Sequence, residues 1–202
     1  MNGYENVIIA DADYLDKVAF DLIVNFERML MRRIPTADIA RWIDCVALDG
    51  GMRPIEGDQL PQTHVVLVHS KETTAMENFT PAAFSSELNG KAFKDNLGEF
   101  TISALPVESM VRKDDFLLDI ITTVCQAKEV RRVMIVTDAD NEEEYNRLRE
   151  ALRHIDDDNK RITVFAMQPL PGGNFRQEIL GYSLMNALGI KGEELRGCPQ
   201  AP

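Results

Sequence analysis

The segment "VMIVTDADN", residues 133–141, places Asp138 and Asp140 directly after an apolar run. An apolar, β-branched run of this length is typical of a buried strand. Near the start of the chain, "VIIADADYL", residues 7–15, ends a similar run on a second Asp-x-Asp pair. Two explanations compete. Either both pairs are ordinary turns, in which aspartate is favoured, or they are two halves of a metal-binding carboxylate cluster.

Strand-like and helix-like patterns alternate along the chain. Strands are predicted at 5–10, 64–70, 99–105, 131–137 and 161–167. Helices are predicted at 13–32, 79–90, 113–127, 142–154 and 172–190. A further helix is predicted to begin after an N-cap at Thr36, and the segment 43–50 could continue that helix or form a strand. This alternation implies right-handed crossovers. The sequence therefore predicts a Rossmann-like α/β fold, a three-layer αβα arrangement with a mainly parallel sheet of about five strands.

The aspartates are expected at the edge of the sheet where ligands bind. In parallel α/β sheets, ligands lie beyond the carboxyl ends of the strands, near the point where strand order reverses. If the first and fourth strands are neighbours, the two Asp-x-Asp turns face each other there. The helix at 113–127 begins at the same edge and brings Asp115. Asp119 lies one turn further along that helix, and its role stays open.

A cluster of carboxylates needs a cation, because like charges in close contact repel. Carboxylate oxygens suit Mg²⁺ or Mn²⁺, which can activate a water and stabilise displacement at a phosphodiester. The residues expected to hold the ion are Asp11, Asp13, Asp115, Asp138 and Asp140. The residues expected to meet substrate phosphates are Lys113, Arg112 and Arg176.

Bulk composition limits the partners. The 202 residues carry a net charge of −11, which argues against a broad basic surface for nucleic acid but allows a local, metal-neutralised site. Three cysteines without paired spacing favour a reducing compartment, and no apolar run reaches the length of a membrane span. We expect a cytoplasmic protein without a membrane partner, with one domain over 1–190 and a flexible tail over 191–202. Single-stranded RNA, a second copy of the chain and another protein are the partners left open.

Three acidic segments resemble motifs of the PIN-like superfamily, in particular its NYN domains. "ADADYLD" is similar to the D-G-x-N-L segment that ends the first strand of those domains, and "VTDADN" is similar to S-G-D-S-D-F. "RKDDFLLDIITTV" stands in the place of K-G-V-D-V-x-L-x-x-D. The matching positions are Asp11, Asp13, Leu15, Lys113, Asp115, Leu118, Asp138 and Asp140.

The resemblance follows the order of elements over about 5–167 and implies a metal-dependent ribonuclease. It implies that the catalytic residues are Asp11, Asp115, Asp138 and Asp140. The motifs depart from the family at Ala12, Asp13, Thr137 and Asn141. These departures leave open a catalytically silent binding or scaffold protein that keeps the fold. "MIVTDADN" also resembles the D-x-D strand of Toprim domains, which makes a Toprim-like, Mg²⁺-dependent nucleic-acid enzyme a further alternative.

Overall fold

The apolar run that ends in Asp11 forms the central strand of the sheet. This strand, β1 (Asn6–Asp11), is buried along its whole length, because it pairs in parallel with a neighbour on each side. The computed structural model describes residues 3–57, 60–155 and 159–195. Within these ranges the chain folds into helices around a seven-stranded sheet, with a separate two-stranded sheet.

The remaining elements are named in chain order. The strands are β2 (Ala37–Asp38), β3 (Gln62–Ser70), β4 (Phe79–Thr80), β5 (Ala92–Lys94), β6 (Glu99–Val107), β7 (Arg132–Val136), β8 (Arg161–Ala166) and β9 (Arg176–Ile179). The helices are α1 (Ala12–Leu30), α2 (Ile39–Asp49), α3 (Lys113–Gln126), α4 (Glu142–Arg153), α5 (Leu180–Ala187) and α6 (Gly192–Leu195), with a π-helical turn at Phe84–Leu88.

The main sheet has the order β5-β6-β3-β1-β7-β8-β9. All of its pairs are parallel except β5 with β6. The predicted mainly parallel α/β sheet is therefore confirmed, but the predicted number of about five strands is wrong. All five predicted strands are present, and β5 and β9 extend the sheet at its two edges.

Two segments predicted as helices take other structures. In 172–190 the helix α5 starts only at Leu180, because Arg176–Ile179 pair with β8 as an edge strand. Pairing of this kind depends on a distant strand, so the local pattern does not reveal it. In 79–90 the chain forms the short strand β4 and then the π-helical turn.

The second helix begins later than its predicted cap. Asp38, and not Thr36, caps α2, since its Oδ1 accepts a hydrogen bond from Arg41 N at 3.1 Å. The Thr36 hydroxyl instead lies 2.7 Å from the Thr80 hydroxyl, which joins the segments of β2 and β4. The ambiguous segment 43–50 continues this helix as far as Asp49.

Helices cover both faces of the main sheet. Side chains of β1 alternate between two hydrophobic clusters, with Ile8 and Ala10 in one and Val7 and Ile9 in the other. The first cluster takes in residues of α1, α2 and α5, and the second takes in residues of α3 and α4. Both faces of the parallel strands are thereby buried, as their continuous apolar runs require.

The strand order reverses beside β1. The chain passes from β1 to β3 and β6 on one side, then returns to β7, β8 and β9 on the other. Because β1 pairs directly with β7, the turns that follow Asp11 and Val136 are neighbours at the carboxyl edge. This is the position at which α/β sheets bind ligands.

Within the described ranges, no helix is both long enough and apolar enough to cross a membrane. The predicted flexible tail, 191–202, begins with α6. Its remaining part, residues 196–202, lies outside the described residues.

Candidate functional site

An acidic pocket of about 240 Å³ lies at the carboxyl edge of the sheet, beside the reversal of strand order. We call it the acidic pocket, and its lining is Asp11, Asp13, Tyr14, Lys17, Lys113, Asp114, Asp138 and Glu144. Five of these side chains are carboxylic acids, and two are lysines. They come from the end of β1, the start of α1, the start of α3, the turn after β7 and the start of α4.

Asp11 joins the strand to the helix that follows it. It caps α1 by accepting a hydrogen bond from Tyr14 N at 3.1 Å, so the capping explanation holds for this residue. It is also 3% exposed, and Lys113 Nζ lies 2.8 Å from its Oδ1. Burial raises the pKa of Asp11 above its usual value, although the Lys113 ammonium acts in the opposite direction.

Asp13 accepts hydrogen bonds from three donor groups. Its Oδ2 accepts hydrogen bonds from Ser70 N at 2.9 Å, Ser70 Oγ at 2.7 Å and Lys113 Nζ at 2.9 Å. Burial acts to raise the pKa of Asp13, but the Ser70 and Lys113 hydrogen bonds outweigh it and hold the pKa below its usual value. Its other oxygen, Oδ1, is buried without a hydrogen-bond partner. Asp13 therefore reaches the pocket as a carboxylate with one unused oxygen.

The turn after β7 brings the second Asp-x-Asp pair to the same edge. Asp138 Oδ1 accepts hydrogen bonds from Asp140 N at 3.2 Å and Asn141 N at 3.3 Å, and Asn141 in turn caps α4. Asp138 thus stabilises a turn and also lines the pocket. Asp140 is exposed and is not among the residues that line the pocket, but its Oδ2 accepts a hydrogen bond from the lining residue Tyr14, through Oη, at 2.8 Å. Burial and the nearby Asp140 raise the pKa of Tyr14, so its hydroxyl keeps the proton that it donates.

Glu144 adds a carboxyl group that the sequence did not single out. Its pKa is raised to about 7 by burial, by the charges of Asp114 and Asp138, by a hydrogen bond with Asp114 and by the charge of Asp11. Around neutral pH the Glu144 carboxyl is therefore protonated in part of the molecules. Its place in the sequence could have indicated this role, because Glu144 lies three residues after Asn141, the cap of the helix that begins at the carboxyl edge of the sheet.

The structure places Asp115 outside the acidic pocket. Its carboxylate is 45% exposed and pairs with Arg147 Nη2 at 2.5 Å, and this hydrogen bond holds its pKa below the usual value. The neighbouring Asp114 lines the pocket instead. Successive residues on a helix point about 100° apart, so the choice between them depends on how α3 is rotated against the sheet. Asp119 is exposed on the same helix.

The three basic residues expected at the site lie in different places. Lys113 is inside the acidic pocket, between Asp11 and Asp13. Arg112 is near it, with its guanidinium 3.7 Å from Asp114. Arg176 begins β9 and lines a separate cleft with the start of β8, so the structure does not bring it to the pocket.

Ser70 and Asp114 also belong to the site, although the sequence motifs do not include them among the expected site residues. Ser70 ends β3, which is the neighbour of β1, and this adjacency is a property of the folded sheet. In the ranges 3–57, 60–155 and 159–195, no three histidine, cysteine, aspartate or glutamate side chains are placed so that they could hold one metal ion. As the side chains stand, the Lys113 ammonium is the cation that Asp11 and Asp13 share.

Comparison with known proteins gives a family and no activity. No curated protein and no solved structure matches the chain. One family description, "Family of unknown function (DUF6621)", matches residues 1–195. Because this match spans nearly the whole sequence, the chain belongs to the family DUF6621.

Proposed function

We propose that this chain is a divalent-metal-dependent phosphodiesterase with a three-layer αβα fold of the PIN-like kind, and that it cleaves single-stranded RNA in the acidic pocket. One observation carries the proposal: carboxyl groups from β1, α1, α3, β7 and α4 meet at the reversal of strand order. Ligand sites of α/β sheets lie at this position. The sequence resemblance to NYN domains supports the same reading.

The donors in the pocket suit a hard divalent cation. The lining has five carboxyl groups and two lysines, so acidic groups outnumber basic ones. Burial, and then the neighbouring carboxylates, raise the pKa of Glu144 to about 7. Asp13 Oδ1 is an unused oxygen of the kind that Mg²⁺ and Mn²⁺ bind. Among the described residues, no three acidic side chains are placed to hold one ion, so binding requires Asp114, Asp138 or Glu144 to move toward it.

Several residues of the chain have roles in this proposal. Asp11, Asp13 and Asp138 would hold the ion, with Asp114 and Glu144 completing its ligands. When bound, the ion supplies charge neutralisation at the phosphodiester and an activated water.

The remaining polar groups handle the substrate and the proton. Lys113 would turn from Asp13 toward a substrate phosphate, and Arg112 at the rim would add a second positive charge. Glu144 has a pKa of about 7 without the ion, and a cation beside it would lower that pKa, so this carboxyl would release its proton as the ion binds.

Cleavage of RNA tests the proposal directly. A 5′-labelled single-stranded RNA is incubated with the protein in Mg²⁺, in Mn²⁺ and in EDTA. We expect cleavage with either ion, none in EDTA, and a loss of roughly a hundredfold or more in Asp138→Asn. Asp119→Asn, an exposed change on α3, is the matched control and keeps its activity. If Asp138→Asn cleaves as fast as the unchanged protein, or EDTA has no effect, the proposal is wrong.

A second candidate is a binding or scaffold protein that keeps this fold without catalysis. The observation that favours it is Lys113, whose ammonium already neutralises Asp11 and Asp13 at 2.8 and 2.9 Å. Under this candidate, Asp138→Asn leaves stability unchanged or improved through relief of repulsion, and no RNA is cleaved with any ion. The cleavage assay combined with thermal unfolding of Asp138→Asn separates the two functions.

A further inference from the structure

At the opposite, amino edge of the sheet, three arginines gather around one loop. Arg132 and Arg161 are register partners on the adjacent parallel strands β7 and β8, so their side chains emerge side by side on one face. Arg53 lies in the loop after α2, which passes over them. We call these three residues the arginine cluster.

Contacts within the loop hold the cluster together. Arg132 Nη2 donates a hydrogen bond to the Gly51 carbonyl at 3.3 Å. Arg161 Nη1 lies so close to Gly51 that a Cβ there would be 2.8 Å from it. Arg53 Nη1 donates to the carbonyls of Leu48 at 3.0 Å and Met52 at 2.6 Å.

No carboxylate among the described residues balances this charge. Arg132 donates hydrogen bonds to the Gly51 carbonyl and to Asn6 Oδ1 at 3.0 Å, and its Nε is buried with no hydrogen-bond partner in the described ranges. In the part of the chain that the structure describes, none of the three arginines forms an ion pair with a carboxylate. Burial and then the neighbouring Arg161 and Arg53 lower the pKa of Arg132, which reports their mutual repulsion. Neighbouring guanidinium groups repel one another, so an anion beside them would be stabilised even in a protein with a net charge of −11.

An open cleft of about 470 Å³ gives access to this charge. Arg161 lines it together with Lys160 and with Arg176, the first residue of β9. The other described residues that line it are Asn159, Ile162, Gly173, Asn174 and Phe175, and none of these is acidic. Arg161 therefore connects the arginine cluster behind it with two further cations on a solvent-accessible wall.

We propose that this amino-edge cleft binds a phosphate-type oxyanion, held mainly by the guanidinium groups of Arg161 and Arg176. Guanidinium groups match phosphate geometry through paired N–H donors, and they stay charged at any physiological pH. Arg132 and Arg53 add a positive field behind the site. The anion is either free phosphate or the phosphate group of a nucleotide. This inference does not rest on the proposed function, since the cleft and the acidic pocket lie at opposite ends of the strands.

Titration with phosphate tests the proposal. Thermal unfolding and calorimetry of the whole chain are measured in EDTA with sodium phosphate, with 5′-AMP and with sodium chloride at matched ionic strength. We expect saturable binding and stabilisation by phosphate or by 5′-AMP, and none by chloride. If inorganic phosphate and 5′-AMP both bind, the cleft recognises the phosphate group alone. If 5′-AMP binds and inorganic phosphate does not, the cleft recognises the phosphate group of a nucleotide. Either result supports the proposal.

Variants show whether the cleft is responsible. Arg161→Gln and Arg176→Gln should each weaken binding about tenfold or more, because each removes charged hydrogen bonds to the anion. Arg176 is exposed, so its variant remains informative if Arg161→Gln fails to fold. Arg153→Gln, an exposed change at the end of α4, should bind as the unchanged protein does. The proposal is overturned if neither ligand exceeds chloride, or if Arg153→Gln weakens binding as much as Arg176→Gln.

Discussion

Single residues at the carboxyl edge have two roles at once. Asp11 caps α1 and also takes part in the acidic pocket, and Asp138 stabilises a turn and also lines it. The two explanations posed by the Asp-x-Asp segments are therefore compatible. By accepting backbone hydrogen bonds, Asp11 and Asp138 fix the backbone of their turns, and the fold of the sheet brings the two turns together. The ion pairs of Lys113 with Asp11 and Asp13 determine how substitutions in the pocket affect the stability of the protein.

Replacing Lys113 by methionine should destabilise the protein in a pH-dependent way. The change leaves the nearly buried Asp11 without a cation, so we expect a loss of roughly 2–4 kcal/mol in the free energy of unfolding at pH 7. The pKa of Asp11 is already raised and should rise further. The loss should therefore shrink as pH falls through that pKa and the carboxyl becomes neutral. Denaturant unfolding at several pH values measures the effect.

Lys17→Met is the control for this experiment. Lys17 is exposed and lines the same pocket without forming an ion pair, so its replacement should change stability only slightly. Equal losses in the two variants, or a Lys113→Met loss that does not depend on pH, would contradict the role given to the Asp11 pair.

A second pH effect is expected away from the pocket. Burial, a hydrogen bond with Asp95 and the charges of Asp95 and Asp38 raise the pKa of Asp44, on α2, to about 7. The folded state then holds a proton that the unfolded chain releases near its ordinary pKa of 3.8. The protonated pair therefore contributes its full stabilisation of the folded state below about pH 3.8, and this contribution is lost as the pH rises to about 7.

Asp44→Asn should remove this dependence. Its melting temperature should change less than that of the unchanged protein between pH 4 and 7 and should be higher at pH 8, because the amide carries no charge beside Asp95. Asp21→Asn, an exposed change on α1, should leave the pH profile as it was. A profile for Asp44→Asn that runs parallel to that of the unchanged protein would refute the carboxyl pair.

At the scale of elements, the turn between β5 and β6 fixes an edge of the sheet. Asp95 Oδ1 accepts hydrogen bonds from Leu97 N at 2.7 Å and Gly98 N at 3.3 Å. Gly98 has a φ of +148°, and a Cβ there would lie 2.3 Å from the Pro61 carbonyl oxygen. That oxygen also accepts a hydrogen bond from Glu99 N at 3.0 Å, which joins the starts of β3 and β6.

Gly98→Ala should therefore weaken this edge. We expect a loss of roughly 2–3 kcal/mol in the free energy of unfolding, because both the backbone conformation and the contact with Pro61 disfavour a side chain. Gly90→Ala is the matched control. Gly90 has a φ of +74° but open space around it, so the cost should be only about 1 kcal/mol. Chemical denaturation compares the two, and equal losses would show that the Pro61 contact does not matter.

The sequence predicted those elements whose pattern is local. The five apolar strands and the helices α1, α3 and α4 follow from runs and periodicity that neighbouring residues carry. The strand β9 depends on pairing with β8, and the choice of Asp114 over Asp115 depends on the rotation of α3. Both are decided by tertiary packing, so they become visible only in the folded chain.

For the site, the sequence indicated the correct edge but only part of the correct set. Asp11, Asp13, Asp138 and Lys113 were recognised from motifs that follow strands, and they do line one pocket. Glu144 also lines the pocket, although no motif in the sequence marks it. Its role in the pocket follows from the short connection between β7 and α4, which turns the first turn of the helix back over the sheet edge.

At the scale of the whole molecule, charge is separated along the strands. The acidic pocket lies at the carboxyl edge, and the arginine cluster lies at the amino edge. Arg132 and Arg161 begin β7 and β8, whereas Asp138 follows the end of β7. The two sites are therefore a strand's length apart on the same part of the sheet. The acidic pocket is where the proposed function requires a divalent cation.

Calorimetric titration with Mn²⁺ is the most direct test of that requirement. It is measured on the unchanged protein, Asp138→Asn, Asp115→Asn and Asp119→Asn. We expect saturable binding by the unchanged protein, weakened roughly tenfold or more in Asp138→Asn and unaltered in the two α3 variants. No binding at millimolar Mn²⁺, or equal weakening in Asp115→Asn and Asp138→Asn, would contradict it.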